Sequence, residues 1–366
     1  MELVSISHAN GFRPQSPVSS IVPSFIDIAA VKTKQTRLDT GSIILEFSID
    51  HSLSEPQLLL KSCSHTPVQC CLRIWADADG AISLELRSGH LARRINLSAN
   101  TLETSNQLRL TFSWCIEKNK MLLSAENNET GDLRQAETRN PISMPMSLLT
   151  GMLQNADGQF VAQNISLLAV SDQIESVGLI PSIAGFCPVE TPRGFVSIQH
   201  IKSGDLVNTV DNGPQPVRWV CSRKVPTQGL FCPIRLRAPY FGLLQDIVIA
   251  PEQRLLFEND EVQYMFGEES ILAEAHHFSK QGKISAEPNQ ANIVLYQLLF
   301  DQHEIINVAG CQMESLFVAD IANNPDLLST TLLNELPIDL IPRHAKLARP
   351  LLRPYEAMTL AAGTVH

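Results

Sequence analysis

The sequence predicts an all-β chain: an N-terminal antiparallel β-sandwich, then a second β domain, then a short helical tail. Three observations carry this. From about Gly41 to Val170 apolar residues alternate with period two, as in strands that bury one face. Prolines at 214, 216, 226, 233, 239 and 251 rule out long central strands in the second half and favour short, bent ones. At 366 residues the chain exceeds one typical core, so roughly two domains are expected.

The sandwich is placed at residues 1–170. Ile43, Leu45, Phe47 and Ile49 share one face of its first clear strand, with Ile44, Glu46 and Ser48 on the other. Leu72-Arg-Ile-Trp75 and Ile82-Ser-Leu-Glu-Leu86 flank Asp77-Ala-Asp-Gly80, a hairpin turn in which Gly tolerates positive φ. Leu108, Leu110, Phe112 and Trp114 form another apolar face, and Asn127-Asn-Glu-Thr-Gly131 breaks the next strand pair. Several short strands between turns fit a sandwich. In its rhythm Ile82 to Trp114 resembles a concanavalin- or laminin-G-like jelly roll. That resemblance implies a carbohydrate or protein ligand. Asp77 and Asp79 are two oxygen donors where a calcium site needs six or more, so turn formation is the expectation for them.

Ser171–Gly178 is polar, ends in Gly and reads as a linker. The second β domain is placed at 179–322, with strands at Gly194-Phe-Val-Ser-Ile, Val217-Arg-Trp-Val-Cys and Ile293-Val-Leu-Tyr, and no helix before Glu268. The tail, 323–366, carries a capped helix over Asp326–Leu336 and a second over Pro354–Ala362. It is expected to dock rather than to hang free.

Composition narrows function. Apolar residues make up 44% and charged ones 18%, as in globular proteins. A net charge of −10 without a basic run disfavours nucleic acid as a partner. No apolar run is long enough to span a bilayer and Met1–His8 shows no secretory pattern. No membrane partner is therefore expected, and the cytoplasm is the default location, with unconventional export left open. The eight cysteines (63, 70, 71, 115, 187, 221, 232, 311) lack framework spacing and are expected to be reduced and mostly buried. Cys63, His65, Cys70 and Cys71 fit no zinc pattern. Neither a metal nor a cofactor is expected.

The chemistry sits in a series of motifs. Leu179-Ile-Pro-Ser-Ile-Ala-Gly-Phe-Cys-Pro-Val-Glu-Thr-Pro-Arg-Gly194 leads into Ile198-Gln-His-Ile-Lys-Ser-Gly-Asp-Leu-Val207. Asp211-Asn-Gly-Pro-Gln-Pro-Val-Arg-Trp219, Asp246-Ile-Val-Ile-Ala-Pro-Glu-Gln-Arg-Leu-Leu256, Phe266-Gly-Glu-Glu-Ser-Ile-Leu272 and Leu299-Phe-Asp-Gln-His-Glu-Ile305 follow. In this order, over about 140 residues, the motifs resemble the Hint (Hedgehog/intein) domain in a bacterial subfamily. Ala348-Arg-Pro-Leu-Leu-Arg-Pro-Tyr-Glu356 resembles the tail of the same subfamily.

The resemblance implies self-processing. The first residue of the domain attacks the preceding carbonyl to form an ester or thioester, and a Thr-x-x-His or Ser-x-x-His motif assists amide cleavage. Aligned without gaps through Thr191-Pro-Arg-Gly194, the nucleophile position falls on Ser182, making Pro181–Ser182 the scissile bond. Cys187 is the competing nucleophile, at the cost of a five-residue deletion. The family's Ser-Pro-Gln-His-Arg reads Ala250-Pro-Glu-Gln-Arg254 here, so Ala250 lacks the hydroxyl and Gln253 cannot exchange a proton. Another family imidazole is replaced in Tyr296-Gln-Leu298. Asp301-Gln-His-Glu304 is close to the family's Asp-Arg-His-Glu, and Asp301 with His303 is either a proton relay or a pair of polar groups at a strand end. The adjacent His276 and His277 are not expected to share a site. Splicing needs a terminal Asn, which Gly363-Thr-Val-His366 lacks.

Three functional readings follow. One is autoproteolysis after Pro181 with Ser182 as nucleophile. The second, favoured because nucleophile, hydroxyl and imidazole are all changed together, is an inactive pseudo-enzyme on an intact scaffold. The third is a carbohydrate- or protein-binding sandwich with the Hint part as accessory.

Overall fold

A computed structural model describes residues 3–7, 36–48, 55–65, 68–77, 79–98, 107–127, 131–154, 158–281, 284–286 and 292–363. The chain divides into two compact units, Met1–Gly178 and Leu179–His366. All pairs between named strands are antiparallel, and no described helix is long and apolar enough to cross a membrane.

The first unit is a sandwich. One sheet runs in the order Leu3–Ser7, Ile165–Ser171, Thr40–Phe47, Leu108–Cys115, Lys120–Asn127, Leu133–Thr138. The other runs Phe160–Val161, Gln57–Ser64, Cys70–Ala76, Ile82–Ser88, Leu91–Leu97. Ile43, Leu45, Phe47, Leu72, Ile74, Leu84 and Leu86 are buried. Thr40–Phe47 and Leu108–Cys115 depart from the one-sided expectation, because their second face is buried too. Its polar groups satisfy one another there. Glu46 accepts from Arg109 at 2.8 Å, and Ser42 and Ser113 hydrogen-bond at 2.8 Å. Gly41 is required where it stands, since a Cβ would lie 2.6 Å from the Trp114 ring and 2.7 Å from the Ser171 carbonyl.

Residues 171–178, read as a linker, belong to this unit: Ser171 ends the strand Ile165–Ser171 and the rest is packed on it. Glu175 is buried, its N–H donates to Ser42 Oγ, and its carboxylate accepts from Ser171 Oγ. Gly178 N–H donates to Glu126 at 2.8 Å. Around the hairpin turn, Asp77 accepts from Trp75 Nε1 and Ser83 Oγ, and Asp79 accepts from Ala81 N–H. Both aspartates serve the turn. The expected break at 127–131 includes Asn128, Glu129 and Thr130, which lie outside the described residues. Cys63 and Cys71 are paired in a disulfide, against the expectation of reduced thiols. They face one another directly across neighbouring antiparallel strands, a register that spacing along the sequence does not reveal.

The second unit has two sheets of short strands. In the first, Ile183–Ala184 lies centrally between Asn292–Leu299 and Ile247–Ile249, with Trp219–Pro226 at one edge. The second contains Pro188–Thr191, Ile305–Val308, Cys311–Glu314, Arg254–Phe257 and Ile271–Glu274. A helix does form before Glu268, at Asp260–Phe266. Asn259 caps its N-terminus by accepting from Val262 N–H, acidic residues fill its first turn, and Gly267 closes it at φ 72°.

The tail differs from the single helix expected at Asp326–Leu336. A short helix, Pro325–Leu328, is capped by Asn324, and a separate 3-10 turn covers Leu332–Glu335. Thr330 and Thr331 turn their hydroxyls onto the carbonyls of Leu327 and Leu328 and end the first turn. The terminal helix is Pro354–Gly363. Leu328, Leu333 and Ile341 join Leu179, Cys221, Leu299, Leu316 and Val318 in one core, so the tail completes this unit.

Candidate functional site

Ser182 enters the central strand of the second unit clamped by its backbone on both sides. Its N–H donates to Tyr296 O at 3.2 Å, and its carbonyl accepts from Ala250 N–H at 2.6 Å. The second contact brings Ala250-Pro-Glu-Gln-Arg254 against the nucleophile position. Ser182 Oγ, buried, donates to Gln253 Oε1. Gln253 in turn donates to the carbonyls of Glu314 at 3.2 Å and Arg254 at 3.1 Å.

Gln297, in the strand where the resemblance implies a second imidazole, donates to Gln253 Oε1 at 3.2 Å and to Glu314 O at 3.3 Å. Its own Oε1 is buried without a partner. The two glutamines therefore form one amide network over the Ser182 hydroxyl. Ala250 is buried and sets a methyl where the resemblance implies a hydroxyl.

Among the described residues, His303 reaches this network through Glu314. Ala348 N–H donates to its Nδ1 at 2.9 Å, which places the ring proton on Nε2, 3.3 Å from Glu314 Oε2. Arg254 Nη1 lies 3.3 Å from the same carboxylate oxygen. Phe317, His303 and His344 form a three-ring cluster, with Phe317 5.0 Å from His303 and 5.7 Å from His344 and the two imidazoles 6.2 Å apart. Asp301 turns to Arg218 rather than to the imidazole. Its carboxylate is 59% exposed and pairs with Arg218 at 2.5 and 2.8 Å, so no Asp301–His303 relay forms. Cys187 is also outside the network. Its thiol donates to Val248 O at 3.4 Å, and burial pushes it up to about 12, so it is protonated at neutral pH.

Ser182, Ala250 and Gln253 thus come together, His303 stands one residue away, and Asp301 and Cys187 do not take part. Glu314 and Gln297 complete the arrangement. Nothing in the pattern around Glu314 marked it, whereas Gln297 sat at a position already flagged for its missing imidazole. The expectation for His276 and His277 also changes. Their rings lie 3.9 Å apart beside Glu274. Burial, then the His276 imidazole, lowers His277 to about 4, and burial raises Glu274 to about 7.

Comparison with known proteins places the second unit. Residues 183–320 match the Hint domain family. Among solved structures the chain is similar to a bacterial intein-like domain from Clostridium thermocellum, at 13% identity over 38% of this chain and 100% of that one, TM-score 0.26. The gp41-1 intein is similar at 15% identity over 37% and 98%, TM-score 0.26. The N-terminal part is similar to the CBM40 domain of the Ruminococcus gnavus IT-sialidase, solved with alpha2,6 sialyllactose, at 15% identity over 40% and 82%, TM-score 0.28. A search of curated proteins found no match.

Proposed function

We propose that the second unit is a self-processing Hint domain that keeps the scaffold of the reaction and has lost the reaction itself. The observation that carries this is the buried contact of Ser182 Oγ with an amide, Gln253, which is paired with a second amide, Gln297. In an acyl shift Oγ forms a bond to the Pro181 carbonyl carbon and the C–N bond breaks. The hydroxyl proton must leave, and the departing nitrogen must gain one. A carboxamide accepts a hydrogen bond and cannot accept the proton. The imidazole in reach of the network, His303, has its Nδ1 lone pair occupied by Ala348 N–H and its Nε2 turned to Glu314. The replacements also support one another: a lone His-to-Gln change would strand a buried amide, and here the two glutamines satisfy each other in part.

The test is repair. The triple variant Ser182→Cys, Ala250→Thr, Gln253→His restores the thiol, the hydroxyl and the proton donor. General acid catalysis alone is worth about 10²–10⁴ in rate, and such groups act as a unit, so Ser182→Cys alone should change little. Incubated with hydroxylamine and resolved under denaturing conditions, wild type should remain whole while the triple variant divides between Pro181 and Ser182. Unaided cleavage of wild type at that bond refutes the proposal.

A second reading, a carbohydrate or protein ligand on the sandwich, has one observation behind it. Lys61, Arg73, Glu85 and Arg94 lie in one register row across four strands. The next row holds Trp75, Ser83 and Asn96, with the Arg94 guanidinium 5.2 Å from the Trp75 ring. Cationic groups beside a half-buried indole suit an anionic sugar. Glycan binding that survives Trp75→Ala and Arg73→Ala would remove this reading.

A further inference from the structure

We propose that Glu274, His276 and His277 form a binding site for one divalent transition-metal ion of the zinc type, separate from the Ser182 network. One donor atom from each residue lies within 4.8 Å of the other two. Glu274 Oε2 is 3.6 Å from His276 Nδ1 and 4.0 Å from His277 Nε2. In a tetrahedral zinc site with bonds of about 2.0–2.1 Å the donor atoms are about 3.3 Å apart, so small side-chain rotations close the set. Two imidazoles and a carboxylate leave a fourth position for water, and all three side chains are reachable from solvent at 18%, 43% and 11% exposure.

The local fold explains why neighbouring histidines converge. Glu274 ends the strand Ile271–Glu274, and a 3-10 turn begins at Ala275. Side chains at successive positions of a strand would diverge, whereas this turn brings both rings to one side of the carboxylate. The turn is fixed from several directions. Ala275 N–H donates to Gln253 O at 3.0 Å, and His276 N–H donates to Pro251 O at 3.0 Å. Phe278 stacks on Phe257 at 4.6 Å, and the helix Pro354–Gly363 packs against the same segment.

The surrounding charge favours a cation. Glu252 and Glu314 act on Glu274 along with Arg254, three carboxylates against one guanidinium. Arg254 also approaches Glu274 at 4.0 Å, but its closer partner is Glu314 at 3.3 Å, so it can stay with Glu314 when an ion takes Glu274. His276 Nδ1 gives up a 3.3 Å contact with Pro251 O on ligation. An ion here would brace the turn whose backbone holds Pro251 and Gln253.

The experiment is titration of the untagged full chain with zinc chloride by calorimetry, alongside the visible spectrum with cobalt(II). One ion per chain is expected, with cobalt d–d bands and no thiolate charge-transfer band. Glu274→Gln and His277→Gln should each weaken zinc affinity by about tenfold or more, as loss of a ligand does at least what loss of its orienting partner does. His276→Ala, at a half-exposed position, should do the same while leaving the melting temperature of the metal-free protein unchanged. Absence of zinc binding, binding that persists in His276→Ala, or a thiolate band overturns the proposal.

Discussion

Arg109→Met tests the polar layer on the second face of the sandwich. Arg109 and Glu46 are 3% and 0% exposed in their side chains and meet at 2.8 Å on adjacent strands. Methionine keeps most of the aliphatic stem and removes the guanidinium, so little packing is lost and Glu46 is left without its cation in the interior. Breaking a buried pair from one side costs about 3–5 kcal/mol. For a unit of this size each 1 kcal/mol lowers the melting temperature by about 2–4 °C, so a drop of roughly 6–20 °C is expected. Scanning calorimetry of wild type and variant reads it directly. The double variant Glu46→Leu, Arg109→Met should recover most or all of the loss, because a matched apolar pair avoids desolvating two charges. A single-variant cost under about 1 kcal/mol, the value of an exposed pair, would refute this account of the layer.

Three further outcomes follow from positions already described. Gly41→Ala should destabilise the first unit by about 1–3 kcal/mol in urea unfolding, since its Cβ meets the Trp114 ring and a backbone carbonyl below 3 Å. His344 is buried, and burial holds it below its ordinary 6.5, so the unfolded chain binds the proton first. Its contribution to stability is present above about 6.5 and is lost as pH falls through the folded value; His344→Gln should flatten the slope of unfolding free energy between pH 7 and pH 5. Burial raises Cys187, Cys221 and Cys311 to about 12. Alkylation of the native protein at pH 8, mapped by mass spectrometry, should therefore modify the half-buried Cys232 well before those three.

How much of this was legible beforehand depended on whether a feature was local. Alternation at Ile43, Leu45 and Phe47 marked one strand, and Asp77 to Gly80 marked the turn between two others, Cys70–Ala76 and Ile82–Ser88, because both signals lie within a few residues. The helix Asp260–Phe266 was equally local, with Asn259 and Gly267 as its caps, but lies between strands too short to suggest one. Two-sided burial of Thr40–Phe47 was not readable, since Glu46 looks like a solvent-facing residue until Arg109, 63 positions away, is placed beside it. The same limit applies to the site. The family resemblance pointed to Ser182, Ala250 and Gln253, which the fold brings together, whereas the contacts of Glu314 and Gln297 depend on strand register. For Asp301 and His303 the sequence left a relay and a pair of separate polar groups both open, because only the fold shows that His303 faces the interior while Asp301, two positions earlier, pairs with Arg218 outside.

The position of Leu179 separates two events usually treated as one. Leu179 belongs to the core of the second unit, packed with Cys221, Leu299 and Leu316, although it precedes the Pro181–Ser182 bond. On the other side of that bond, Ile183–Ala184 is hydrogen-bonded to strands on both sides. A chain severed there would be nicked rather than parted: the stub ending at Pro181 would keep its leucine in the neighbouring core. The repaired variant should consequently migrate as one particle in size-exclusion chromatography and as two only after denaturation. In the repaired variant, cutting the linkage and letting go of the product would be separate problems, the second set by apolar packing.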